Sequence, residues 1–187
     1  MTNSQMTIAL IAGVVLIVVL GITIALRRRR SRVLADKFGP EYGRTVEAVG
    51  KRSKAEAELE ARAKRVEQLH IRDLTAGERD RYTELWKVSQ QHFVDNPAMA
   101  VAEADQLVTE VMRMRGYPMA DFEQRAADIS VAHPQLVTHY RAGHAIALNS
   151  TGLKASTEDL RQAMVHYRAL FEELLGAPVK EPELITH

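Results

Sequence analysis

Hydrophobic positions are distributed unevenly along the chain, and the unevenness divides it into segments. Residues 7–26, TIALIAGVVLIVVLGITIAL, carry no charge, and 13 of the 20 are Leu, Ile or Val. At 1.5 Å per residue a helix of this length covers about 30 Å, the thickness of a bilayer's hydrocarbon layer. Insertion of those aliphatic side chains is worth roughly −4 to −8 kcal/mol. The pattern predicts a single transmembrane helix over 7–26, preceded by a short extracytoplasmic stretch, 1–6. A cleaved signal peptide fits poorly, because MTNSQM has no basic residue and the apolar run ends directly in RRRR.

Beyond the run, apolar residues return at helical spacing only after a long polar interval. Residues 27–50 form a basic juxtamembrane segment broken by Gly39, Pro40, Gly43 and Gly50, which predict a turn before any long helix settles. Residues 51–74 are rich in Ala, Glu, Lys and Arg, with a thin stripe of Leu59, Val66 and Leu69, and read as a solvated helical spacer.

From 75 to 176 the stripes broaden into those of a small antiparallel helical bundle. Thr75 and Glu78 have capping-box spacing, and Tyr82, Leu85, Trp86 and Phe93 follow as a core face. Asn96 and Pro97 open a second helix, with Val101, Ala104, Leu107, Val108, Val111 and Met114 inward and Gly116 at its close. A shorter helix runs from Asp121 to Ile129, and Pro134 opens another bearing Leu136, Tyr140, Gly143 and Ala147. Ser156 and Asp159 cap the last, whose stripe is Leu160, Met164, Tyr167, Phe171 and Leu174, ending at Gly176. Residues 177–187 form a tail. No segment alternates with period two outside the valine-rich run, so the fold class is all-α.

Charge refines this picture in one place. The formal net charge is +1, from 25 basic and 24 acidic residues, yet five of the basic ones are Arg27, Arg28, Arg29, Arg30 and Arg32. Without them 20 basic residues face 24 acidic ones, so the rest of the chain is mildly acidic and a nucleic-acid partner is not expected. The arginines place the C-terminal domain on the cytoplasmic side and set basic side chains against the headgroups of an anionic leaflet. Ala9, Gly13, Gly21 and Ala25 form an interrupted small-residue ladder suited to self-association of the membrane helix.

Candidate chemistry is sparse. There is no cysteine, and no phosphate-binding, dinucleotide, zinc-protease or nucleophile-elbow motif. No catalytic residue, metal site or cofactor is predicted. HYRA occurs twice, at His139–Ala142 and His166–Ala169. A ligand pocket built from Trp86, His139, Tyr140, His144, His166 and Tyr167 is the candidate site. Helical geometry predicts against it, since His139 and His144 lie about 140° apart on a helix and His166 about 110° from its stripe. Trp86 reads as core and His144 as a core-edge residue.

From about Trp86 to Leu175 the chain resembles an uncharacterised family of bacterial proteins described as hypothetical, membrane or secreted. The resemblance rests on FVDNPAMAVAEADQLV, RGYP, RAADISVAHP and ASTEDLRQAMVHYRALFEELL. It implies a bacterial inner membrane and brings no activity or catalytic residue. Anchor, spacer and bundle in series predict a membrane-anchored interaction or scaffold module, with a protein partner or self-association. A small-ligand-binding or enzymatic domain is the alternative.

Overall fold

The computed structural model describes residues 3–150 and 155–176, except for the side chains of 3–12, 14 and 150. Eight helices and no strand occur among them: α1 (Asn3–Phe38), α2 (Pro40–Val49), α3 (Arg52–Glu67), α4 (Ala76–Asp95), α5 (Pro97–Arg115), α6 (Phe122–Ala132), α7 (Leu136–Ser150) and α8 (Thr157–Leu175). The all-helical expectation is met. The spanning helix is not, because among the described residues no helix is both long and apolar enough to cross a membrane. The apolar run lies along α1, but its first part falls where side chains are outside the described residues. The remainder, Gly13 and Val15–Leu26, is too short by itself. The 177–187 tail also lies outside the described residues.

The chain divides into two units, 1–59 and 60–187. In the first, α1 does not stop at the arginines but runs through them to Phe38. The predicted turn falls at Gly39, with φ +49°, after which Pro40 starts α2 in the first-turn position where its missing N–H costs nothing. Gly50, at φ +71°, closes α2 in the left-handed conformation. Leu34, Phe38, Ala55 and Leu59 are buried. Ser31 donates to Glu56 Oε1 at 2.6 Å, tying α1 to α3.

In the second unit, helices α4 to α8 form the bundle, and the capping predictions hold. Thr75 and Glu78 cap α4 reciprocally, as Ser156 and Asp159 cap α8, while Asn96 and Asp121 accept from the third residue of α5 and α6. The central layer is α5, α7 and α8, whose Val101, Val108, Met112, Tyr140, Tyr167, Leu170 and Phe171 are almost wholly enclosed. Three expectations shift. The α4 stripe is Tyr82, Trp86, Ser89 and Phe93, so Leu85 faces out at 40% exposure. Pro134 precedes α7 in a turn and does not begin it. The spacer is neither wholly helical nor wholly solvated. Its helix ends at Glu67, Val66 and Leu74 are buried, and Arg65 pairs with Asp128 of α6.

Candidate functional site

One polar grouping lies where α7 and α8 run against each other, and a second lies beside it around Asp105 of α5. The HYRA repeats stand on α7 and α8, so the two motifs face across the contact. His139 Nδ1 lies 2.9 Å from His166 Nδ1, one ring donating and the other accepting. Tyr140 and Tyr167, the next residues, are both fully buried. The helical angles separate His139 from His144 and set His166 off its stripe, but they treat each helix in isolation and are silent on a pairing between helices. Close packing of α7 on α8 supplies that pairing, and Gly143 permits it: a Cβ there would lie 3.2 Å from the Tyr167 ring.

Behind this contact the tyrosines enter a polar cluster. Tyr167 donates to Asp105 Oδ1 of α5 at 2.8 Å, and His144 Nδ1 approaches the same oxygen at 3.6 Å. That nitrogen is buried without a hydrogen-bond partner among the described residues. The His144 ring stacks on Phe122 with centroids 3.7 Å apart, and Phe122 leans on Tyr140 at 4.8 Å. Arg125 Nε donates to the Tyr140 hydroxyl at 3.1 Å while Nη1 is held by the Ala120 carbonyl at 2.7 Å. Burial pushes the Tyr167 phenol far above its ordinary value, and the Asp105 carboxylate pushes it further. Burial also raises Tyr140, against the opposing pull of Arg125. Both hydroxyls therefore stay protonated and act as fixed neutral groups.

Asp105 and Arg125 also line an open cleft of about 480 Å³, together with Thr109, Glu110, Arg113 and Met119. Two carboxylates and two guanidinium groups at its wall suit a small polar or zwitterionic molecule. Of the six predicted pocket residues, Tyr140, His144 and Tyr167 gather around Asp105, and His139 and His166 form their own pair. Trp86 does neither. It stacks on Phe171 at 4.7 Å in the core. Sequence reasoning misses Asp105 and Arg125, although Asp105 stands within the apolar stripe between Val101 and Val108, where a carboxylate is a signal. Among the described residues no group of three or more His, Asp or Glu side chains could hold a metal ion.

The remaining predicted residues, Arg27, Arg28, Arg29, Arg30 and Arg32, all stand exposed on α1.

The histidines make the bundle sensitive to acid. Burial lowers His166, and the neighbouring His139 lowers it further; burial lowers His133 as well, against the pull of Glu173 at 3.0 Å. A base whose folded value lies below its unfolded one binds more protons when unfolded, so stability rises with pH and is lost as pH falls below the ordinary histidine value of 6.5. Protonating both rings of the pair would also set two Nδ1–H groups against each other. The urea midpoint is expected to fall on mild acidification, and to fall less in H166Q. Equal slopes for the two proteins would discount the pair.

The chain matches no protein-family pattern, no curated protein and no solved structure.

Proposed function

We propose that this protein is a single-pass, membrane-anchored helical interaction module: residues 7–26 sit in the bilayer and the α4–α8 bundle is presented on the cytoplasmic side. The observation that carries this reading is the bareness of α1. From Val15 to Leu26 every side chain is exposed, and the aliphatic ones lie on all sides of the helix with no described element covering them. A helix apolar all round needs either a protein interior or lipid around it. The arginines that follow favour the cytoplasmic side for the bundle, and tethering there raises its effective concentration for partners at that surface. Exposed Leu85 and Val88 on α4 support protein contact or self-association. The family resemblance would make the membrane a bacterial inner one.

Alkaline carbonate washing of membranes tests the anchor. The protein is expected to stay in the pellet and to be released only by detergent. Two lysines at the centre of the run, V18K and V19K together, cost about 5 to 7 kcal/mol, enough to cancel most of the insertion energy and move the protein to the supernatant. Wild-type protein in the carbonate supernatant would overturn the reading.

A second reading, a small-ligand-binding domain, is favoured by the Asp105 cluster beside its cleft. A polar metabolite that raises the melting temperature of the wild type but not of D105N would support it.

A further inference from the structure

A strongly charged concavity lies in the first unit. A cleft of about 740 Å³ is lined on one side by Arg27, Arg28, Arg30 and Arg32 of α1, and on the other by Lys51, Arg52 and Ser53 at the start of α3. Six basic side chains thus face one carboxylate, Glu56. That carboxylate is already engaged. Burial alone would raise it, but hydrogen bonds from Ser31 at 2.6 Å, Tyr42 at 2.9 Å and Arg52 at 3.1 Å outweigh burial and hold it below its usual value. Glu56 therefore fixes the two walls together, and the lining as a whole stays strongly basic. The volume is that of a sizeable ligand and far exceeds one phosphate. Ile24, the last turn of the apolar run, completes the rim, so the cleft opens where apolar surface meets positive charge.

We infer that this cleft binds the headgroup of a phospholipid carrying two phosphates, of the cardiolipin type, with α1 and α3 each supplying cations. The inference rests on the membrane reading above and deepens it. A simple arginine stop signal would use all five arginines alike and would owe nothing to α3. The cleft instead selects among them. Ile24, Arg27, Arg28, Ser31 and Arg32 recur at three- and four-residue intervals on the side of α1 that meets Glu56, Arg30 reaches the cleft from beside that face, and Arg29 alone of the five arginines lies outside the lining. Lys51, the residue before α3, lines the cleft and Lys54 of α3 does not. Charge-matched neighbours in sequence are therefore distinguishable.

The test uses the full-length protein in detergent and in lipid nanodiscs. Cardiolipin binding is measured by native mass spectrometry and by thermal shift, against phosphatidylglycerol at equal total negative charge. R28Q and K51Q are each expected to weaken cardiolipin binding about fivefold, the loss of one cation near an anionic surface, while R29Q and K54Q change it less than about twofold. Phosphatidylglycerol should not substitute. Equal effects of all four variants, or equal binding of the two lipids, would reduce the site to diffuse attraction and overturn the proposal. A soluble glycerol bisphosphate that binds as tightly as the lipid would also overturn it, in favour of a free polyanion. None of these outcomes moves the wild type out of the carbonate pellet, so failure here and failure of the anchor are read separately.

Discussion

Gly116→Ala is expected to destabilise the protein by about 3 kcal/mol, read as a shift of the urea midpoint at unchanged slope. Gly116 ends α5 at φ +98°, and the Tyr117 N–H reaches back to the Met112 carbonyl at 3.0 Å. An L-residue there costs about 1 to 2 kcal/mol from backbone conformation alone. The larger difficulty is space. A Cβ at this position would lie 2.6 Å from the carbonyl oxygen of His70, main chain that cannot swing aside as a side chain could. The connection between α3 and α4 would have to lift, and it is fastened at this point. Arg72 N–H donates to the Arg115 carbonyl at 2.8 Å, and the Arg115 side chain donates to the carbonyls of Arg72 and Leu174 and to Asp73. Losing one or two of these adds about 1 kcal/mol each, and Leu74 would be drawn from the core. Gly176→Ala is the internal control. Gly176 has φ +68°, but a Cβ added there would meet no atom of the described residues within 4 Å, so the change should cost about 1 kcal/mol. Equal costs for the two would refute the close approach.

That contrast marks what a sequence can carry. Both glycines are legible as helix ends, because a glycine after the last residue of an apolar stripe is a local signal. Only the fold shows that one of them also lies beneath another stretch of main chain. The same division runs through the candidate site. Thr75, Asn96, Asp121 and Ser156 announce their helices because a cap is satisfied within one turn. His139 and His166 come together because α7 and α8 cross at Gly143, a relation between helices that no single-helix wheel contains. Asp105 is visible as a carboxylate in an apolar stripe, yet its partners, Tyr167 and His144, come from other helices. At the other end of the chain, local composition determines more. The uncharged run and the arginines need no tertiary information. The cleft they share with Lys51 does, since it depends on Gly39 and Gly50 turning α2 so that α3 starts beside α1.

Replacing Arg65 tests whether the end of the spacer belongs to the bundle. Asp128 is 1% exposed, and its Oδ1 receives Arg65 Nε at 3.1 Å, Arg65 Nη2 and Gln124 Nε2 at 3.0 Å, while Oδ2 has no hydrogen-bond partner among the described residues. The arginine itself is 40% exposed. It therefore loses little hydration on pairing, whereas the carboxylate has surrendered nearly all of its own. R65A removes the compensating charge and leaves the desolvated one, with an expected cost of about 3 kcal/mol. D128N should cost less, about 1 kcal/mol, because the amide keeps hydrogen bonds and no bare charge remains. The informative variant is the double one. If the penalty of R65A is the stranded carboxylate, then R65A/D128N must be more stable than R65A, a coupling whose sign no loss of packing would produce. Additive costs would mean that the pair is incidental to how the end of α3 is held. A positive result bears on function through reach. The division between the two units falls inside α3, at Leu59 and Glu60, and the last turns of the expected spacer, with Leu74, are then fastened to the bundle. For a tethered module this shortens the freely exploring segment, so a partner near the membrane meets the bundle at a higher effective concentration than a 51–74 spacer would give.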